Sequence, residues 1–472
     1  MADDFRFLGL TLENMRAFGP AQKLDLAGLD GAPARWCVIL GENGVGKTTT
    51  MQALAMMRPV PAFKRGDDGQ VIALAVTDGD LPDPDFVEPD VFDYDNERIE
   101  GLVRRHADRV SARMTAVLRD TTGREIEIGF DCVVENGELQ TATLQQQHES
   151  LKAEGPLIIG YGASRHLGSR NMNSVSDNRP TEGLFNDLVE LVDADEVMEF
   201  LHHAELSARV ALETDAGNEE LRRDHHRVSR FFGGLKNAIA KVIPHLEPAD
   251  ISIVMPRLTG STSRTGMRVR TASGEVPMAE LSLGYRVTIS WIVDLAWTLF
   301  QRRPDSPSPF DESAIVLVDE IDLHLHPRWQ REIRHHLLDV FKNVQFIVTS
   351  HSPIIAQEGI AQGDPVSVVR LEGDHATILN RPLPSKPWRY DEVLGSRAFN
   401  ELIGADLRSE ALLIERRALL RKRELTPEED ARLDALNAII HDLQAPDAPY
   451  DAAFDKLMGR VVELEKQLAA KS

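Results

Sequence analysis

At 472 residues, with a net charge of −22 and 42% hydrophobic content, the chain has the make-up of a globular protein longer than one typical core. The acidic balance argues against a surface built to neutralise nucleic-acid phosphates, while leaving room for a local basic groove. Only Cys37 and Cys132 occur, which excludes a disulfide framework or a cysteine-based zinc cluster and fits a reducing, cytoplasmic setting. No run of about eighteen apolar residues is available to span a membrane, and Met1 to Asp4 gives no sign of a signal peptide.

Apolar alternation at Phe5, Phe7, Leu10 and Leu12, a turn at Gly19-Pro20 and a return through Leu24 and Leu26 predict two short strands of a hairpin. The next strand, Trp36-Cys37-Val38-Ile39-Leu40, is apolar throughout and breaks into Gly41-Glu42-Asn43-Gly44-Val45-Gly46-Lys47-Thr48 ahead of a helix. Strand, glycine-rich loop and helix in that order are the context of a phosphate-binding P-loop. Gly41, Gly44 and Gly46 let backbone N–H groups turn inward on an anion, and Asn43 and Thr49 belong to the same cradle. The helix adds its positive dipole end. Lys47 can then reach the β- and γ-phosphates of ATP, and the Thr48 hydroxyl can ligate Mg²⁺.

Beyond the P-loop helix, Gly69 to Val76 reads as a strand, and the acidic, proline-containing stretch from Asp78 to Glu100 as a loop. Met114 to Leu118, Glu125 to Gly129 and Cys132 to Glu135 read as strands of an antiparallel sheet. Leu157 to Gly162 is a buried strand entering a second glycine-rich loop, and Leu184 to Val242 has helical spacing. Ile251 to Met255 and Met267 to Val269 return to strand character. Ser282 to Gln301 predicts a long helix with Val287, Trp291, Leu295 and Leu299 on one face. Two strands, Ala314 to Val318 and Val344 to Thr349, then flank a helix opening at Pro327. Val366 to Arg370 and Ala376 to Leu379 form a hairpin around Leu371 to His375. Thr426-Pro427-Glu428-Glu429 is a capping box that starts a helix. With Leu407 to Leu420 and a second stripe through Phe454, Leu457, Val461 and Leu464, it predicts a C-terminal helical module. The expected divisions are an ATPase lobe with an antiparallel region over 1–170, a helical insertion over 171–275, a second motif-bearing stretch over 276–395 and a docking or oligomerisation module over 396–472.

Three further motifs follow the P-loop. Ile315-Val316-Leu317-Val318-Asp319-Glu320 is an apolar strand ending in two carboxylates. Asp319 is placed to hold Mg²⁺, and Glu320 to polarise an attacking water. Leu281-Ser282-Leu283-Gly284-Tyr285-Arg286 opens the long helix with a hydroxyl and a glycine, a second anion site best explained by the nucleotide of another protomer. Gln345-Phe346-Ile347-Val348-Thr349-Ser350-His351-Ser352-Pro353 ends a strand in a histidine able to donate a hydrogen bond to a γ-phosphate. His324 and His326 also suggest a metal pair if the segment is extended, although no third ligand completes a zinc shell.

In this order the motifs resemble those of ABC-type ATPases, an α/β class. The run from Asp319 to Pro327 narrows the resemblance to the branch related to SMC, RecF-type and overcoming-lysogenisation-defect proteins, as does Leu12-Glu13-Asn14-Met15-Arg16-Ala17-Phe18-Gly19. The resemblance implies a mixed-sheet head with an antiparallel β lobe, and two heads that sandwich two ATP molecules. Lys47, Thr48, Asp319, Glu320 and His351 then act in cis, and Ser282 and Gly284 on the opposite nucleotide. The usual glutamine of the Q-loop is missing; the matching strand runs Tyr161-Gly162-Ala163-Ser164-Arg165, which makes Arg165 the candidate polar contact. No nuclease signature is recognisable in the chain itself. The arrangement resembles the ATPase subunit of two-gene anti-phage systems such as Septu, and so implies a partner effector such as a His-Asn-His nuclease. A repair-type ATPase that clamps nucleic acid directly is the alternative; a transporter subunit would need a proper Q-loop and a membrane-coupling groove.

Overall fold

The strand Trp36–Leu40 is buried at every position, and its two faces enter different cores. In the computed structural model the described residues are 4–59, 63–65, 71–73, 96–146, 156–170, 172, 180–215, 217–243, 246–254, 266–271, 274–303, 306–384, 393, 396, 415, 419 and 426–443. The first part of the chain carries β1 (Arg6–Glu13), β2 (Gln22–Asp25), β3 (Trp36–Leu40), α1 (Lys47–Met56), β4 (Phe63–Arg65), β5 (Val71–Ala73) and α2 (Asn96–Leu102). Next come β6 (Arg109–Arg119), β7 (Glu125–Glu135), β8 (Glu138–Gln146), β9 (Ile158–Tyr161), β10 (His166–Arg170), β11 (Glu190–Val192), α3 (Ala194–Thr214) and α4 (Glu219–Val242). The second half holds β12 (Ile251–Val254), β13 (Gly266–Thr271), β14 (Gly274–Pro277), α5 (Leu283–Arg302), β15 (Ala314–Val318), α6 (Pro327–Val340), β16 (Val344–Ser350), α7 (Pro353–Gln362), β17 (Val366–Glu372) and β18 (His375–Asn380).

A six-stranded sheet in the order β18-β17-β3-β16-β15-β9 forms the centre. Its strands are parallel apart from the antiparallel edge hairpin β17–β18, so the sheet is mixed, as the motifs imply. Trp36, Val38 and Leu40 face a core shared with α3, α4, α5 and α6, whereas Cys37 and Ile39 face α1 and the antiparallel sheet β2-β1-β6-β7-β8. Burial on both faces explains why β3 and β15 read as unbroken apolar runs and the strands of the antiparallel sheet as alternating.

Several sequence expectations change in detail. Glu125–Glu135 is one strand rather than two, because burial alternates straight through Ile126, Ile128, Phe130, Cys132 and Val134. Gly129 lies in the opposite register, where the core asks for no side chain. The stretch expected as one helical run from Leu184 instead contains β11 and two helices. Asp193 caps α3 by accepting from the Asp195 and Glu196 N–H groups, and Asn218 caps α4 through Glu220 and Leu221. Leu188, which fits the helical spacing, is 80% exposed. Residues 96–100 of the acidic stretch, read as loop, belong to the helix α2; residues 78–95 lie outside the described residues. So do most of the strand expected from Gly69 to Val76, most of the helix expected at 407–420 and all of the one expected at 454–464.

The long helix α5 is buried all round, from Val287 through Leu299, not along one face. Its Asp294 is 3% exposed and is satisfied there by the Tyr161 hydroxyl at 2.8 Å and the Val192 N–H at 2.9 Å. The chain divides into two compact units, residues 1–393 with 397–399, and residues 394–396 with 400–472. In the second unit α8 (Pro427–Leu443) opens on the expected capping box. The Thr426 N–H donates to Glu429 Oε2 at 3.1 Å, and the Glu429 N–H donates to Thr426 Oγ1 at 3.3 Å. No helix of the described residues is long and apolar enough to cross a membrane.

Candidate nucleotide site

β3, β16 and β15 lie side by side and parallel, so the loops after all three emerge at one edge of the sheet. Carboxyl ends of parallel strands are where α/β sheets place ligands. Leu40 hands the chain to the glycine-rich loop, Val318 to Asp319-Glu320, and Ser350 to His351. Gly41, Asn43 and Gly44 form the loop, and Gly46 is the residue that caps α1, with φ 113°. A Cβ on Gly46 would sit 2.9 Å from the Phe18 ring, so both backbone and space require glycine there. Thr49 is buried in the first turn of α1, while Asn43 and Thr48 are exposed.

The Lys47 ammonium donates to the Gly41 and Glu42 carbonyls, each at 2.9 Å, and lies 2.8 Å from His351 Nε2. A lysine can only donate, so His351 accepts through Nε2 in this contact. Burial pushes the Lys47 pKa down, opposed by the charges of Asp319, Glu320 and Asp322. Thr48 Oγ1 donates to Asp319 Oδ2 at 2.6 Å. Glu320 Oε1 stands 3.6 Å from His351 Nε2. Lys47, Thr48, Asp319, Glu320 and His351, spread over 305 positions of sequence from 47 to 351, thus meet in one cluster.

Thr349 completes it and is a residue the sequence reading passes over. Its hydroxyl is fully buried, donates to Asp319 Oδ1 and accepts from the Glu320 N–H at 2.7 Å. A threonine next to the end of a strand that is buried at every position is the signal that marks it. Ser352, beside His351, caps α7 and donates to Gln330 Oε1 at 2.6 Å; the Gln330 amide donates to the Leu325 carbonyl at 3.0 Å. This links the histidine loop to the segment after Glu320.

Ser282 and Gly284 are placed differently. Ser282 is exposed at the start of α5 and its hydroxyl makes no cap hydrogen bond. Leu283 beside it is 47% exposed. Gly284 packs against the chain itself: a Cβ there would meet the His324 carbonyl oxygen at 2.7 Å. Arg165 is 7% exposed, with its guanidinium on the carbonyls of Asp319 and Glu320. His324 and His326 do not lie on an extended segment; residues 319–324 form turns, His324 has φ 67°, and His326 caps α6 through Nδ1. Among the described residues no group of three or more His, Cys, Asp or Glu is arranged to hold a metal. For Mg²⁺ the relevant donors are fewer: one carboxylate and one hydroxyl, 2.6 Å apart, fit a hard cation that keeps water and phosphate as its other ligands.

A P-loop on a buried parallel strand, a neighbouring Asp-Glu strand end and a histidine strand end beside it define a P-loop ATPase of the ABC class. The chain belongs to the family described as "AAA domain, putative AbiEii toxin, Type IV TA system", whose model matches residues 37–356. It is 24% identical over 384 residues to the Septu protein PtuA of Bacillus mycoides (strain KBAB4), covering 80% of this chain and 42% of that one. To the Retron Ec83 probable ATPase of Escherichia coli it is 51% identical over 74 residues, 16% of this chain and 14% of that one. The chain thus spans less than half the length of these curated relatives. A solved SMC head domain from Thermotoga maritima superposes with a TM-score of 0.39 at 14% identity, covering 79% of this chain and 98% of that one.

Proposed function

We propose that the protein binds and hydrolyses ATP, and that ATP-dependent pairing of two heads regulates a partner effector, a nuclease in anti-phage defence. The observation that carries the catalytic half is the single cluster of Lys47, Thr48, Asp319, Glu320 and His351. Lys47 exchanges its bonds to the loop carbonyls and to His351 for the β- and γ-phosphate oxygens. Thr48 and Asp319 would hold Mg²⁺, which would supply charge neutralisation to the phosphates. Glu320 orients and polarises the attacking water, and His351, freed from Lys47, donates to the γ-phosphate. Ser282 and the Gly284 N–H close over the nucleotide of the second head. Asn43, Thr49 and the glycines of the loop supply the rest of the cradle.

The partner half is supported by the names of the relatives, a Septu protein and a retron ATPase, and by the resemblance of the motif order to two-gene defence systems. The test is native mass spectrometry of the full chain purified with ATP and Mg²⁺ from its source cells, beside a phosphate-release assay. The expected result is hydrolysis together with a paired species that carries a second polypeptide with nuclease activity. An ATP-dependent homodimer carrying DNA and no protein companion would overturn the partner half in favour of a clamp on nucleic acid. Absence of hydrolysis would overturn the catalytic half.

A further inference from the structure

Glu320 has a φ of 48°, in the left-handed region that residues with a Cβ avoid. Such a conformation is strained and persists only where its surroundings over-determine it. The surroundings here account for every backbone polar group of the Asp319-Glu320 pair. The Asp319 N–H donates to the Tyr161 carbonyl at 2.8 Å and the Glu320 N–H to Thr349 Oγ1 at 2.7 Å. Both carbonyls then converge on one side chain: the two terminal nitrogens of Arg165 donate to Asp319 O at 3.1 Å and Glu320 O at 2.7 Å.

We propose that Arg165 is a positioning residue for hydrolysis: its guanidinium fork clamps the carbonyls of Asp319 and Glu320 and so fixes the turn that aims the Glu320 carboxylate. This assigns Arg165 to the protein backbone and not to the nucleotide, and it rests on the reading of Glu320 as the base. Arg165 follows β9, the strand next to β15, so it reaches the turn from the neighbouring strand end. With 7% of its surface exposed, little of it is left to meet a ligand. Burial pushes its pKa down to about 10, opposed by the nearby Asp319, Asp322 and Glu320 charges, so it stays cationic at neutral pH. Two carbonyls side by side suit a planar fork; an ammonium on a shorter stem cannot bridge both with the same geometry.

The experiment compares wild type with Arg165→Ala, Arg165→Met and Arg165→Lys on three readouts. Affinity for a fluorescent ATP analogue is expected to stay within about threefold of wild type. The turnover number is expected to fall about 10²-fold, the scale of a misplaced catalytic group, and guanidinium ion at non-denaturing concentration is expected to restore part of it in Arg165→Ala. Hydrogen exchange of the peptide covering 319–325, measured without nucleotide, is expected to speed up in all three variants. Arg165→Met keeps most of the volume and guards against a variant that fails to fold. A loss of nucleotide affinity matching the loss of turnover would overturn the proposal and return Arg165 to the nucleotide. Unchanged exchange at 319–325 would also overturn it. If the wild type hydrolyses no ATP, the functional reading fails, while the exchange measurement still decides the clamp.

Discussion

The two motif-bearing ends of the head contrast sharply in how complete they are. Around Lys47 and Asp319, hydroxyls, carboxylates, an ammonium and an imidazole already satisfy one another within a single chain. At the start of α5, Ser282 is exposed with its hydroxyl off the helix N-terminus, next to an exposed Leu283. A helix N-terminus leaves N–H groups without intrahelical partners, and in most helices the capping side chain turns back to meet one. Here it does not. Under the proposed pairing of heads, the difference separates a centre assembled by the fold from a surface left for a second head.

The largest effects fall on the assembled centre. Lys47→Ala is expected to abolish measurable ATP binding and hydrolysis. Glu320→Gln is expected to keep binding, accumulate paired heads and lose about 10²–10³ in turnover, the range for removing one stabilising transition-state contact. Equilibrium binding of labelled ATP, phosphate release and sedimentation distinguish the two variants. Glu320→Gln turning over at the wild-type rate would show that the base lies elsewhere.

The exposed end yields a prediction that depends on a second copy. Ser282→Arg is expected to bind ATP as wild type does, because Lys47 and Thr48 are untouched, yet to lose at least about tenfold in turnover through failed pairing. Mixing it with Lys47→Ala is expected to restore activity: in a mixed pair one site combines an intact P-loop with an intact Ser282. If Ser282→Arg loses ATP affinity as an isolated monomer, or the mixture stays silent, the contrast between a complete centre and an incomplete surface breaks.

What the sequence disclosed divides along the same line. The P-loop and Asp319-Glu320 were legible because each sits where an unbroken apolar run stops, and His351 because it follows directly on a strand with an apolar centre. Less legible were features set by distant partners. Thr349 looked like the tail of a strand; only the fold shows its hydroxyl between Asp319 and the Glu320 N–H. Arg165 stood where a Q-loop residue was wanted, and no local pattern announces that its fork turns onto carbonyls of residues 154 and 155 positions away. The helix boundary at Asp193 was hidden because Leu188, Leu191 and Val192 fit helical spacing, although two of them belong to a strand.

The smallest effects are on stability, and they compare the two ends directly through the same kind of change. Thr349→Val keeps shape but removes a buried hydroxyl, leaving the Glu320 N–H and an Asp319 oxygen short of partners. An unsatisfied buried group costs about 1–3 kcal/mol, so a clear drop in denaturation midpoint is expected, with a loss in turnover from the loosened Glu320. Ser282→Val removes a hydroxyl that is exposed and caps nothing, and surface changes of that sort stay within about ±0.5 kcal/mol. Urea titrations of both variants, followed by circular dichroism, give the comparison. Equal destabilisation would mean that Ser282 is already engaged within one chain. The expected inequality would mean that the fold commits its own hydrogen bonds to the P-loop side and leaves the start of α5 without them, as the proposed pairing of heads requires.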